Sequence, residues 1–206
     1  TRLSERPMGD LLAAFSALGI PFSCEGRDNC LPIRIAGKMP SGDIWSVSGA
    51  VSSQFTSSLL LLAASREVGQ KTIVEVHDRL VSRPYVEMTL RMLRDCGIPA
   101  HAVGEQKFEV VAARPNRDEI TIEPDASAMS YVLAAAAITG TAVRVPGIPE
   151  DSAQGDLGFA YLLEKMGCTL SFDAGGLLLR SPGRLAGIEA YMDTMPDTVL
   201  TLAAIA

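Results

Sequence analysis

The sequence predicts an α/β protein built from repeated β-α-β-α-β-β units in two domains, and three observations predict it. First, three segments share one local grammar, an amphipathic helix closed by Gly and followed directly by a short strand. They are Ala17-Leu18-Gly19-Ile20-Pro21-Phe22, Asp95-Cys96-Gly97-Ile98-Pro99-Ala100 and Lys165-Met166-Gly167-Cys168-Thr169-Leu170, and their glycines lie 78 and 70 residues apart. Each Gly suits the left-handed position that ends a helix. Second, Ser52, Asp125 and Asp197 each stand before an Ala/Leu-rich helix, at spacings of 73 and 72. Third, strand-like and helix-like stretches alternate between these anchors.

The elements follow in order. A half unit runs from Pro7 to Ile35. The first complete unit has strands at Ile44 to Ser48 and Thr72 to Val76, a helix from Ser52 and a helix after Pro84, then strands at Ala100 to Val103 and Phe108 to Val111. Pro at a first helical position is a strong start signal, so Ser82 and Arg83 are expected just outside that helix. Ala113-Arg114-Pro115-Asn116-Arg117-Asp118 is a charged, Pro-containing connector between complete units. The domain boundary is placed there, giving residues 1–114 and 115–206. The second unit is expected as a strand at Ile120 to Ile122, the Asp125 helix, a strand at Ala142 to Val145, a helix from Gln154 to Met166, and strands at Thr169 to Phe172 and Leu177 to Leu179. A further half unit starts near Ile188.

Bulk composition excludes several functions. With 206 residues, 48% hydrophobic and 20% charged, the chain can bury a sizeable core. A net charge of −6 argues against a nucleic-acid surface, which needs many Lys and Arg to neutralise phosphates. The longest apolar runs, Leu59 to Ala64 and Val132 to Ile138, fall far short of the roughly 20 residues that cross a bilayer, so no membrane span is expected. Cys24, Cys30, Cys96 and Cys168 lack C-x-x-C spacing, and His77 and His101 stand far apart. The cysteines read as reduced packing residues, the histidines as surface or strand residues, and no metal site is expected. The start at Thr1 without a signal peptide and the end inside an apolar run read as a piece of a longer protein.

Ser52-Ser53-Gln54 opens a helix too apolar to be a surface helix. Two readings fit it: a Ser N-cap on a core helix, or an anion site using first-turn N–H groups, the helix dipole and side-chain donors. The repeat extends the second reading. Helix starts at Ser52, Ser82, Asp125, Asp151-Ser152 and Pro196-Asp197 recur at equivalent points of the units, so their positive ends would converge on one cleft suited to a multiply charged anion.

Six ordered strings carry a resemblance across the whole chain: Glu5-Arg6-Pro7-Met8, Val51-Ser52-Ser53-Gln54-Phe55, Leu80-Val81-Ser82-Arg83-Pro84-Tyr85, Asp125-Ala126-Ser127-Ala128-Met129-Ser130-Tyr131, Gln154-Gly155-Asp156 and Met195-Pro196-Asp197. In this order they resemble the middle portion of the 5-enolpyruvylshikimate-3-phosphate synthase family. The resemblance implies two partial domains of an inside-out α/β barrel, each full barrel being three β-α-β-α-β-β units. It implies transfer of enolpyruvyl from phosphoenolpyruvate to the 5-hydroxyl of shikimate 3-phosphate through a tetrahedral intermediate. Phosphate is released, no cofactor or metal is used, and the setting is aromatic amino-acid biosynthesis in the cytoplasm.

Residue by residue, the resemblance puts Ser52, Ser53, Gln54, Ser82 and Tyr85 on shikimate 3-phosphate, with Gln54 also near phosphoenolpyruvate. Arg6 falls on an arginine holding phosphoenolpyruvate, for which a planar guanidinium is apt. Asp197 falls on the aspartate that contacts the shikimate hydroxyls and accepts a proton. On pattern alone Asp197 is equally an N-cap, Arg6 a solvated residue and Tyr85 a packing aromatic; Asp125 and Asp156 read as capping or turn residues. The family's other active-site residues lie outside these 206, so the chain by itself is expected to hold part of a site. Apolar faces left open by the missing units offer a route to self-association. Two alternatives stand beside this: a UDP-amino-sugar enolpyruvyltransferase of the same fold, and a noncatalytic binding or oligomerising fragment.

Overall fold

A computed structural model describes residues 2–37 and 39–206. By its internal contacts the chain divides into two compact units, one ending at Asp118 and the other running Glu119–Ala206.

In the first unit, α1 (Gly9–Ala17) leads into a hairpin of β1 (Phe22–Cys24) and β2 (Ile33–Ile35). A four-stranded sheet follows, formed by β3 (Ile44–Val47), β4 (Lys71–Val76), β5 (Ala100–Ala102) and β6 (Lys107–Val111) in the order β3-β4-β6-β5. β3 runs parallel to β4, and β6 runs antiparallel to both β4 and β5, so β3, β4 and β5 point the same way. Alternation decides which face is inside. Trp45, Val47, Val74, Val76, Phe108 and Val110 are buried, and they pack with Leu59 and Leu60 of α2 (Ser53–Ala64) and Val86 and Leu90 of α3 (Arg83–Asp95). The other face carries cross-strand charge pairs, Lys107 with Glu75 and Lys71 with Glu109. At the end of α2 the buried Arg66 lies over Trp45, 5.5 Å from the ring centroid, and donates to Thr72 Oγ1 at 2.5 Å, pinning that helix to the sheet.

In the second unit, β7 (Ala142–Val145), β8 (Thr169–Asp173) and β9 (Gly176–Arg180) form a sheet in the order β7-β9-β8, antiparallel at both joins. It packs with α4 (Ala126–Thr139), α5 (Gly158–Lys165) and α6 (Val199–Ile205) around Leu133, Phe159, Leu163, Leu177 and Leu179. Cys168 lies in this core, where burial pushes its thiol pKa up despite a countering hydrogen bond with Ser181, so it packs as an inert thiol.

The repeat is visible atom by atom at the three glycines. The N–H groups of Gly19, Gly97 and Gly167 donate to the carbonyls of Ser16, Arg94 and Glu164, three residues back. Those of Ile20, Ile98 and Cys168 donate five residues back, to Phe15, Leu93 and Leu163, at 2.9, 2.9 and 3.0 Å. All three glycines have positive φ, at 69°, 81° and 106°, and each following residue is buried. These are three copies of one Schellman closure, in which a buried C″ side chain ties the helix end to the core.

Three expected elements differ. Ile120 to Ile122 forms no strand: β7 is paired to β9 alone, and both isoleucines are exposed. The comparison with β3 explains it. β3 has β4 beside it and turns Trp45 and Val47 inward, whereas 120–122 has no neighbouring strand among the described residues and leaves Ile120 and Ile122, which alternation would put on one face, exposed. Near Ile188 no strand forms either. Leu185, Ile188, Ala190 and Met192 reach the core as side chains of an irregular segment. The helix expected from Gln154 begins instead with a 3-10 turn, Gly155–Leu157, and becomes α-helical at Gly158.

Candidate functional site

The topology of the first unit brings two of the suspected helix starts to one edge. β3 and β4 are adjacent and parallel, and each is followed by a helix, so the loops 48–52 and 77–82 both leave the carboxyl edge of the sheet. The loops are laced together: His77 N–H donates to Val47 O at 3.2 Å, and Val81 N–H to Gly49 O at 3.1 Å. Gly49 is required there, because a Cβ would lie 2.6 Å from Val76 Cγ1 and 3.0 Å from the backbone of Leu80.

At this edge Ser52 caps α2, its Oγ accepting from Gln54 N–H at 3.2 Å. Ser53 is buried, while Gln54 is exposed. Ser82 precedes α3 in the left-handed region, φ 50° and ψ 45°, and its side chain caps nothing. Non-glycine residues held there are sparse and cluster at binding sites. Arg83 proves to be the first residue of α3 rather than a residue outside it, and its Nε donates to Glu87 at 3.0 Å. Tyr85 is half-buried, and one turn on Thr89 donates to Tyr85 O at 2.9 Å and meets Ser57 of α2 at 2.8 Å. Ser52, Ser53, Gln54, Ser82 and Tyr85 therefore share one sheet edge and two helices fixed side by side. Arg6 stands exposed on a separate segment ahead of α1.

In the second unit the start of α4 meets the 3-10 turns Gly155–Leu157 and Pro196–Thr198. Here the expected open dipole end is closed by the protein itself. Asp125 accepts from Ser127 and Ala128 N–H at 2.9 and 3.3 Å, and Gln154 Oε1 accepts from Ala126 N–H at 2.8 Å. Ser127 in turn donates to the buried Asp156 at 2.6 Å. Ser152 starts no helix; it donates to Glu123 at 2.5 Å and accepts from Gln154 N–H. Within the first unit the helix starts at Ser52 and Ser82 share one sheet edge, whereas within the second the start of α4 is closed by the side chains of Asp125 and Gln154. Asp125→Ala is expected to cost about 1–2 kcal/mol of stability, as N-cap losses do, measured by urea unfolding.

Asp197 is not an N-cap. It lies exposed inside the turn Pro196–Thr198, one residue before Thr198, which occupies the N-cap position of α6 without a side-chain cap because its Oγ1 donates instead to Met195 O at 2.9 Å and closes the turn. Gln154 joins the start of α4 without any local signal in the sequence, since its partners Ala126 and Glu123 lie some thirty residues upstream. No group of three or more His, Cys, Asp or Glu that could hold a metal exists among the described residues. No described helix is long and apolar enough to cross a membrane.

Comparison with known proteins gives consistent results. A family model described as EPSP synthase (3-phosphoshikimate 1-carboxyvinyltransferase) matches residues 1–206. The chain is 39% identical over 217 residues to the chloroplastic 3-phosphoshikimate 1-carboxyvinyltransferase of Brassica napus, covering 100% of the chain and 42% of that protein. It is 40% identical to the enzyme of the same name from Thiobacillus denitrificans, covering 98% and 48%. Among solved structures, an EPSP synthase from Acinetobacter baumannii matches with TM-score 0.72 and 23% identity, over 98% of this chain and 46% of that one. The enolpyruvyl transferase NikO from Streptomyces tendae matches with TM-score 0.61 and 19% identity, over 87% and 43%. These two establish the fold class, and the chain spans a little under half the length of the curated relatives it matches.

Proposed function

We propose, for a chain that belongs to the EPSP synthase (3-phosphoshikimate 1-carboxyvinyltransferase) family, that it supplies the shikimate 3-phosphate-binding part of an enolpyruvyl transferase. The reaction joins the enolpyruvyl group of phosphoenolpyruvate to the 5-hydroxyl of shikimate 3-phosphate, through a tetrahedral intermediate, with loss of phosphate. The observation carrying this reading is the shared sheet edge on which Ser52 and Ser82 begin two locked helices.

An anion at that edge meets donors of two kinds, hydroxyls of Ser52 and Ser82 and first-turn N–H groups. Since Ser53 is buried, we assign its part to the backbone N–H. The exposed Gln54 amide reaches outward from the first turn, toward phosphoenolpyruvate as well. Tyr85 offers an aromatic wall to the carbocycle, and Arg6 a fork for the phosphoenolpyruvate carboxylate or phosphate. Asp197 takes the proton of the attacking hydroxyl. The reading includes a cytoplasmic setting, although the Brassica relative is chloroplastic by name. It also includes self-association through exposed apolar residues such as Tyr131, Val132 and Ile138 on α4.

Calorimetry of the 206-residue chain with shikimate 3-phosphate tests it. Binding is expected, and Ser52→Ala is expected to weaken it about tenfold, the loss of one charge-assisted hydrogen bond of ~1.4 kcal/mol. A folded chain with no heat of binding overturns the reading.

A further inference from the structure

The β5–β6 turn, residues 103–106, belongs to no helix start and to none of the six family strings, yet it grips the loop that carries Ser82. We infer that Gln106 is a positioning residue for the anion site, holding Ser82 in place from behind; this rests on the reading of that edge given above. The grip has two arms. The Gln106 carbonyl accepts from Val76 N–H at 2.8 Å, extending the β4–β6 ladder one step beyond its last pair. Its side chain then reaches further along the same loop, Nε2 donating to Asp78 O at 2.7 Å. On the far side of Ser82, Arg83 donates through Nη1 to the carbonyl of Glu105 and lies 5.5 Å from the ring centroid of the fully buried Phe108.

The residues between these two fixed points are 79–82, and they include the left-handed Ser82. A non-glycine residue leaves that conformation readily unless its flanks are over-determined. Here the Asp78 carbonyl and the Arg83 guanidinium are both tied to consecutive residues of one turn. The Ser82 side chain makes no cap bond that would hold it locally. On the opposite side the loop is tied to 47–49 by His77 N–H on Val47 O and Val81 N–H on Gly49 O, neither of which reaches Ser82 itself. The turn therefore sets where the Ser82 hydroxyl stands relative to Ser52.

Gln106→Met keeps the side chain's length and lack of charge while removing the donor. In the ligand-free chain, amide hydrogen exchange across 77–85, read by mass spectrometry, is expected to accelerate about tenfold while α2 is unchanged, the signature of a local opening. Gln106→Lys, which restores a donor at similar reach, should return exchange to the parent rate, and Lys107→Met, which removes only the outer-face pair with Glu75, should not alter it. Shikimate 3-phosphate binding should fall about tenfold in Gln106→Met at equal global stability. Unchanged exchange over 77–85, or parent-like affinity when the parent chain binds, overturns the role of Gln106. Absence of binding by the parent chain overturns the proposed function instead, and the exchange result still decides the clamp.

Discussion

In the intact protein, Asp197→Ala is expected to lower turnover by about 10²–10⁴-fold, the range supplied by a positioned acid–base group. The position is well prepared for such a role. Met195 and Thr198, on either side of Pro196-Asp197, are both buried; Met195 packs where Gly158 leaves room, and Thr198 Oγ1 bonds back to Met195 O at 2.9 Å. Two buried anchors thus present an exposed carboxylate on a turn with little freedom. Asp197→Asn separates proton transfer from hydroxyl contact. It keeps the shape and an acceptor oxygen but is not a base, so it should bind shikimate 3-phosphate close to normally while turning over as poorly as Ala. Phosphate release under saturating substrates gives the rate, and calorimetry gives the affinity. Near-full turnover in both variants would remove Asp197 from the chemistry.

What the sequence disclosed follows from the range of the interactions involved. The helix ends at Gly19, Gly97 and Gly167 were legible because a Schellman closure is made within six residues, and its requirements, a residue of positive φ and a buried C″, are written there. Ser52 and Asp125 were legible as caps for the same reason. Ile120 to Ile122 misled because β-type residues describe a willingness to pair, whereas a strand also needs a neighbour, and β7 is paired to β9 alone. The N-cap reading of Asp197 failed because Pro196 marks a helix start without saying whether the first turn is 3-10 or α. The left-handed Ser82 was beyond reach, since Pro84 restrains the residue directly before it, Arg83, and leaves Ser82 to the contacts the folded loop makes. Gln154 likewise acts on Ala126, a partner that only the folded unit brings within reach. Local grammar thus revealed the units and the shared edge, and tertiary registration supplied the parts that hold the edge in shape.

Substituting Ala at three glycines should produce a graded loss of stability that separates backbone conformation from close approach. Gly19, Gly97 and Gly176 all have positive φ, at 69°, 81° and 98°. A Cβ at Gly19 meets nothing within 4 Å, so Gly19→Ala should cost only the left-handed penalty of about 1–2 kcal/mol. At Gly97 the new methyl runs into the Asn116 side chain, whose backbone N–H is held on Cys96 O at 2.9 Å. The amide can swing away at its own torsions, so the cost should exceed that of Gly19 modestly. At Gly176 the obstacle is backbone: the Cβ collides with the Val145 carbonyl oxygen and lies 2.8 Å from Pro146 Cα and 3.0 Å from Gly147 N. None of these atoms can rotate aside without unpairing β7 from β9, where Val145 faces Leu177. Gly176→Ala should therefore be the most damaging, about 3–5 kcal/mol when strain from overpacking adds to the left-handed penalty. Urea unfolding of the three variants checks the order. Equal losses would mean that positive φ alone fixed all three glycines, and that β7 can yield to a methyl group at its turn.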